Sequence, residues 1–506
     1  MHLLRPELHS RRAFLKRSGQ LALAGTALPM ALNLAAIGEA AAFNATDNTG
    51  ANDYKALVCV FLYGGNDFAN TVVTYDDASY NLYNQIRQGG PGQTAGGIAL
   101  AKADLAATLL NPLAPPADAL GATTRQFALN PAMSGLSSLF NAGKVAVQLN
   151  VGPLTVPLTR DQYNSADHTS YPRPAQLFSH NDQQSTWQSS APEGSKVGWG
   201  GSLGDLALSS NGTSTFTCMS VTGNAVYLSG NTAVQYQVTS SGAIPINAAE
   251  TGSAPYGSQA VASALRSLVQ QSRTHALESD YNKITVRSMA AQSVVAQALA
   301  GTSTTSGTPL TGFPAGSTLS DQLQMVARLI AGRSTLGARR QVFMVSLSSF
   351  DMHDYLIRDH GGMLSQVSGA MAAFYAAIAN MGLANKVTAF TASDFGRTLA
   401  TNGDGSDHGW GNHHFVMGGA VNGQRFYGVA PPVSTSDAKT GNAYNPENQW
   451  HVGQGRLLPS TSVDQFGATM AQWFGVAQSE MAQVFPHIGN FAGTFAGGYM
   501  GFMNPT

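Results

Sequence analysis

The chain has 506 residues, with 27 Lys and Arg against 28 Asp and Glu, 12 His and two Cys. A hydrophobic share of 43% is ample for a large core and excludes a wholly disordered chain, while the lack of a basic surplus excludes general nucleic-acid binding. Charged residues make up only 11%, against a usual ~25%, so the surface is expected to be polar and mostly neutral, and two Cys cannot build a disulfide framework.

The first element in chain order is an export signal. Ser10-Arg11-Arg12-Ala13-Phe14-Leu15-Lys16 carries the twin-arginine pattern. A mildly apolar stretch at 21–37 follows, broken by Gly25, Pro29 and Asn33, and Ala40-Ala41-Ala42 offers a small-residue cleavage site. The broken stretch is short for a stable membrane span, and no later segment has the ~20 uninterrupted apolar residues that one needs. Residues 1–42 are therefore expected to be removed after passage through the twin-arginine translocase. The product would be periplasmic or secreted, with no integral membrane span. It has 22 basic and 26 acidic residues, a net charge of −4. In an oxidising destination Cys59 and Cys218 have the option of pairing. Cys59 lies inside the apolar run 57–62, which reads more readily as a buried, inert thiol.

Residues 55–62 form an apolar run closed by Gly64-Gly65, the pattern of a buried strand and a tight turn. Helical patterning spans 78–87, residues 89–127 are irregular, 131–141 reads as a helix and 144–150 as a second strand. A Pro-punctuated loop follows. From 200 to 256 the chain is rich in Ser, Thr and Gly with short β-type runs such as 215–221, and 259–299 has the character of one or two long helices. Residues 302–317 read as a linker or surface loop. Alternation then resumes with a helix at 321–332, a strand at 341–347, a helix at 363–381, strands at 387–391 and 415–420, and a helix at 462–474. This predicts an α/β fold with a mainly parallel sheet covered on both faces. Its core is expected in two parts, 43–199 and 319–506, around an inserted cap region at 200–318.

In such a sheet the ligand crevice lies beyond the carboxyl ends of the strands. Asn66, Asp67, Asn70 and Thr71 follow the first strand; Asp351, His353 and Asp354 follow 341–347; Ser393, Asp394 and Arg397 follow 387–391. The loop before 415–420 holds Asp404, Asp407, His408, His413 and His414. Carboxylates that converge without cations raise one another's pKa, and a divalent metal (Zn, Mn, Mg or Ca) relieves this. Taken singly, each residue has an ordinary structural role: Asp67 as a turn or helix cap, Asp394 as an ion-pair partner of Arg397, His413 and His414 as one core and one surface residue. The site reading rests on their joint placement. The loop after Asn150 offers Thr155 or Thr159 as a nucleophile and Arg160 as a bidentate clamp for phosphate or sulfate, alongside ordinary loop roles. Ser179-His180-Asn181-Asp182-Gln183-Gln184 with Trp187 reads equally as cleft lining or as a means of satisfying loop backbone. No Walker-type loop, Gly-x-Ser-x-Gly elbow or Cys-x-x-Cys pair is present.

Several of these stretches occur in an order that resembles a known family. They are Val60-Phe61-Leu62-Tyr63-Gly64-Gly65-Asn66-Asp67 with Asn70-Thr71-Val72-Val73, Phe350-Asp351-x-His353, Ser393-Asp394-Phe395-Gly396-Arg397-Thr398, Asp407-His408-Gly409-Trp410-Gly411-Asn412, Gly455-Arg456-Leu457-Leu458-Pro459 and Trp473-Phe474-Gly475. Together, over 54–492, they resemble the exported family "domain of unknown function 1501" (DUF1501). That family is placed with the alkaline phosphatase and sulfatase superfamily, so the resemblance implies an alkaline-phosphatase-like α/β/α sandwich with metals at the strand ends. It implies Asp67 as the first-strand metal carboxylate, Asp394 as the Asp of the Ser-Asp-His-Gly motif, Asp351 with His353 as a second metal's pair, and His408 as the late ligand. Phe395 departs from the pattern, standing where hydrolases of the superfamily carry His or Asn.

The expectation is an exported metal-dependent hydrolase of phosphate or sulfate esters, acting on a small-molecule or polymer substrate. Asp67, Asp351, His353, Asp394 and His408 would hold a divalent metal, and Thr155, Thr159 or water would attack. Arg160, Arg397 and His413 would stabilise developing charge, and Asn66, Asn70, Thr71, His180 and Asp182 would line the cleft. The rival expectation is a non-catalytic member of the fold that binds an envelope partner or extracellular polysaccharide on Trp187, Trp199, Trp410 and Trp450.

Overall fold

The computed structural model describes residues 53–88, 97–249, 253–302, 310–491 and 500–504. The export signal expected at 1–42 lies outside the described residues, as do parts of the stretches 89–127 and 302–317.

The frame is one ten-stranded sheet. Its strands are β1 (Lys55–Leu62), β2 (Val145–Gly152), β3 (Cys218–Ser220), β4 (Tyr236–Thr239), β5 (Gly242–Ala243), β6 (Arg340–Leu347), β7 (Val387–Ser393), β8 (Asn412–Gly418), β9 (Arg425–Tyr427) and β10 (Thr461–Ser462). They lie in the order β9-β2-β8-β7-β1-β6-β3-β4-β5, with β10 paired to the end of β2. β1 runs parallel to both its neighbours, β7 and β6. β8 is antiparallel between β7 and β2, and β5 is antiparallel at the far edge. Every residue of β1, β2, β6 and β7 is buried, which is why these strands read as near-continuous apolar runs.

The helices of eight residues or more are α1 (Asp77–Arg87), α2 (Ser134–Asn141), α3 (His180–Ser189), α4 (Trp199–Ala207), α5 (Gln259–Gln270), α6 (Ala276–Ala300), α7 (Thr318–Ala331), α8 (Leu356–Asn380) and α9 (Val463–Phe474). Alternate residues of β1 serve two cores. Ala56, Val58, Val60 and Leu62 pack with Leu136 of α2, Val326 of α7 and Phe374 of α8. Leu57, Cys59 and Phe61 pack with Trp187 of α3, Trp199 of α4 and Phe466 of α9. Helices therefore cover both faces of the sheet. By length and composition α8 is able to cross a membrane, but its Leu364, Val367, Met371 and Phe374 are buried in the first core.

Two expectations change. The segment 200–318 divides: α4 and β3 to β5 belong to the main fold, since β3 is fully buried and pairs with β6. Runs of two to four residues are too short to show a period. Among the described residues of this segment, α5 and the first half of α6 stand outside, with Leu277, Tyr281 and Ile284 exposed, whereas Ala291, Val295, Ala298 and Leu299 of α6 join the first core. Trp187, Trp199 and Trp410 do not form a sugar-binding wall, because all three are core residues no more than 2% exposed. The indole N–H groups of Trp199 and Trp410 are satisfied internally by the carbonyls of Trp187 and Pro153. As expected for Cys59, both Cys59 and Cys218 are buried thiols rather than a pair, and burial pushes the Cys218 thiol up to about 12.

Candidate metal centre

β1, β6 and β7 end level with one another: Leu62 is paired to Leu347 on one side and to Ser393 on the other. The loops that leave them meet at close range. Gly64 has φ +114°, and a Cβ there would collide with the backbone N of Asp351; a Cβ at Gly65 would collide with the Phe395 ring. These contacts bring Asp351, Asp394 and Arg397 together. Because β8 is antiparallel, the loop before it starts at the same sheet edge and adds Asp407 and His408. The first turn of α3 adds His180. Positive φ recurs at Phe178 (+73°), Ser349 (+79°) and Tyr355 (+57°), each two residues from a member of the cluster. Such backbone costs of order 1–3 kcal/mol per residue and gathers at functional sites.

Asp351 is the centre of the cluster. Its Oδ1 lies 3.1 Å from His353 Nε2 and 3.2 Å from His408 Nε2, and accepts a hydrogen bond from Arg397 Nη1 at 2.8 Å. Its Oδ2 lies 3.4 Å from His180 Nε2. Behind each imidazole stands an acceptor for Nδ1: Asp394 Oδ2 for His180 at 2.7 Å, the Phe178 carbonyl for His408 at 2.7 Å, and Asp407 Oδ1 for His353 at 3.3 Å. These oxygens only accept, so Nδ1 carries the proton and Nε2 of a neutral ring presents its lone pair. Nε2 of His353 and Nε2 of His408 are 3.0 Å apart. Two lone pairs at that distance repel unless a proton or a cation lies between them. His180, Asp351 and His408 have the spacing of a ligand set, with one donor atom from each within 4.8 Å of the others. The side chains of Asp351 and His353 are both 41% exposed, so one side of the cluster faces solvent, as in metal sites that keep an open position.

The electrostatics favour a cation. The hydrogen bond to Asp394 lifts the His180 imidazole above its ordinary value, against partial burial and helped by Asp351. Burial lowers His408. Burial alone would raise the Asp351 carboxyl, but the Arg397 hydrogen bond and charge, with His353 and His180, outweigh it and hold the group below the usual range. Asp351 therefore stays ionised. A cation entering the cluster would compete with the His180 proton.

Asp394, expected as a ligand, stands one step back. It is fully buried and accepts from Gly64 N, His180 Nδ1 and Gln184 Nε2, so both oxygens are filled. Phe395, between them, packs 4.9 Å from the His180 ring and 4.7 Å from the His408 ring and restrains both. Asp67, also expected as a ligand, is enclosed elsewhere. Its Oδ2 pairs with Arg87 at 2.6 Å and accepts from Ser406 Oγ at 2.9 Å, and its Oδ1 caps the short helix Phe68–Asn70. Burial would raise this carboxyl, but the Arg87 charge and then His360 lower it. Asn66, Asn70 and Thr71 belong to the same buried layer rather than to a cleft. Asn66 bonds Thr71 and His360, Asn70 bonds Tyr83 and the Ile98 carbonyl, and the Thr71 hydroxyl donates to the Asp67 carbonyl.

The residues expected to attack or to stabilise charge are mostly committed to structure. Thr159 is half of a capping box with Gln162. For Thr155 the contact is to the backbone carbonyl, which accepts from Asn490, and it does not engage the hydroxyl that would attack. Arg160 is buried with Nη1 on the Ser436 and Asn448 carbonyls and Nη2 on Asp437. Arg397 is at the cluster, but all its nitrogens are engaged, by Ser406, by the Gly64 carbonyl and by Asp351. His413 and His414 lie inside β8 rather than in the loop before it. His413 Nδ1 accepts from Asn150 N, and His414 packs against Trp187 and Phe466 on the opposite sheet face. Burial lowers both imidazoles to about 3. Asp182 accepts from Glu193 N at the start of α3. His180, expected as cleft lining, lies in the cluster itself, its Nε2 3.4 Å from Asp351 Oδ2. Its signal was its place at the head of a polar segment next to Trp187.

Residues 54–448 match the family described as protein of unknown function (DUF1501). The chain belongs to the DUF1501 family. Comparison with curated proteins found no match. The DUF1501 match includes every residue of the cluster, from His180 to His408, and the strands that position it.

Proposed function

We propose that this DUF1501 chain is an exported, metal-dependent hydrolase of phosphate or sulfate esters. Its divalent cation would be held by His180, Asp351 and His408, with His353 as a fourth donor. One observation carries the reading: three imidazoles, each held at Nδ1, turn Nε2 onto a single ionised carboxylate. A set rich in imidazole suits Zn better than Mg or Ca, which prefer oxygen. When bound, such a cation supplies Lewis acidity and lowers the pKa of bound water. The chain's own residues prepare the place. Asp394 and the Phe178 carbonyl orient two ligands, Arg397 fixes Asp351, and the open side leaves room for an ester. The ion pair of Asp67 with Arg87 supports one cation per chain rather than two. A mostly parallel sheet with helices on both faces and a site at the strand ends agrees with an alkaline-phosphatase-like sandwich.

The test is hydrolysis of aryl phosphate and aryl sulfate esters by the purified chain with added Zn, Mn or Ca. Turnover should vanish on chelation, return with metal, and fall by about 100-fold or more in Asp351→Asn. Absence of turnover with every metal, or turnover indifferent to Asp351→Asn, would contradict the proposal.

A further inference from the structure

Arg160 and Arg397 have their terminal nitrogens engaged by internal acceptors. Arg456 does not. It stands in the loop between Trp450 and Leu458, which is closed by Val452 N donating to the Arg456 carbonyl and Leu458 N to the Trp450 carbonyl, both at 2.9 Å. Its Nε donates to the backbone carbonyl of His408 at 2.7 Å, and its guanidinium lies over the Phe178 ring, 5.3 Å from the centroid. Both contacts are to residues of the metal centre: His408 is a proposed ligand, and the Phe178 carbonyl holds that ligand's Nδ1. Among the described residues, Arg456 Nη1 and Nη2 have no hydrogen-bond partner, and neither is a buried atom. Burial works against the Arg456 charge, and the acid that acts on it, Asp407, is already shared by His353 and Asn402. The guanidinium is thus oriented by Nε and by stacking, partly stripped of water, and left with its two-pronged edge free. That edge matches two oxygens of a phosphate or sulfate group.

We infer that Arg456, on its Phe178 platform, forms an oxyanion subsite beside the His180, Asp351 and His408 centre, and selects substrates that carry a phosphate or sulfate group. The role given to that anion rests on the metal-centred reading, but the anion binding itself does not. Gly455-Arg456-Leu457-Leu458-Pro459 then has a chemical purpose: it fixes a loop whose arginine reaches the carbonyl of a ligand histidine.

Calorimetric titration of the full chain with sodium sulfate, and separately with sodium phosphate, tests this before and after treatment with a chelator. The parent should bind at least one of the two anions in both states, and the stronger of them identifies the preferred group. Arg456→Gln should weaken that binding by tenfold or more. Arg456→Lys, which keeps charge but loses the fork, should fall between. Asp351→Asn should bind the anion within threefold of the parent. A chain that takes up no zinc but still loses anion binding in Arg456→Gln keeps the subsite and removes the metal reading. Anion binding equal in parent and Arg456→Gln would overturn the subsite. So would binding that disappears on chelation and follows Asp351→Asn, because the anion would then sit on the metal.

Discussion

Asp67 and Asp351 both follow parallel strands, yet their surroundings are opposite. Asp67 is 1% exposed and faces Arg87, whose Nε and Nη1 have no other partner, so Asp67→Asn strands a buried guanidinium. It should destabilise the chain by about 3–5 kcal/mol in urea unfolding. Asp351 is 41% exposed on its side chain, and although its partner Arg397 is buried, that guanidinium keeps its bonds to Ser406 and the Gly64 carbonyl, so Asp351→Asn should cost clearly less than Asp67→Asn, about 1–2 kcal/mol. Equal losses in the two variants would contradict the division into a structural and a functional carboxylate. The sequence carried Asp351, His353 and His408 as short motifs at the strand ends, so their gathering in one place was legible. It did not distinguish Asp67 from them, because its partner Arg87 lies 20 positions away on α1 and nothing local marks that contact. His180 was legible as polar but not as a member of the cluster, since its placement depends on Asp394, 214 positions distant.

At the level of elements, β8 shows how burial overrides a loop-like composition. Asn412-His413-His414 reads as polar loop, but these residues continue the strand with all side chains buried. The consequence is a pH dependence with a definite sign. Folded His414 has its pKa lowered to about 3, against an ordinary 6.5. Above pH 6.5 both folded and unfolded states are neutral and the stability is fully present. Below it the unfolded chain takes up a proton that the folded chain refuses. Stability is then lost by up to about 1.4 kcal/mol per pH unit for each such imidazole as pH falls towards 3. His413 behaves in the same way. Unfolding free energies measured at pH 7 and pH 5 should converge in His414→Leu relative to the parent, and an unchanged difference would exclude this source of acid sensitivity. The long buried strands and α7 to α9 were readable because each carries a full period of apolar residues. β3 was anticipated only as part of the β-type run 215–221, and β4, β5, β9 and β10 were not readable, having two to four residues each.

Across the whole molecule, alternating strands and helices were enough to anticipate a mostly parallel sheet with two covered faces. The boundary of the cap was not, because Ser, Thr and Gly content reports surface polarity and says little about short strands that complete a sheet edge. The structure confines the protruding part to α5 and the first half of α6. On α5 only Ala262 is buried, and the first half of α6 exposes Leu277, Tyr281 and Ile284. Segments with so few buried contacts open at low free-energy cost. Limited proteolysis followed by mass spectrometry should therefore cut first within 259–290 and leave the sheet intact. First cuts inside β6, β7 or β8 would contradict that order.

The proposed function requires that His180, Asp351 and His408 together hold one divalent cation. Calorimetric titration of the purified chain with Zn addresses it most directly. The expected result is one equivalent bound per chain, with affinity reduced by about 100-fold or more in His180→Gln, Asp351→Asn and His408→Gln. The folded fraction of Asp67→Asn should retain it. No saturable uptake, or loss of uptake in Asp67→Asn with retention in Asp351→Asn, would contradict it.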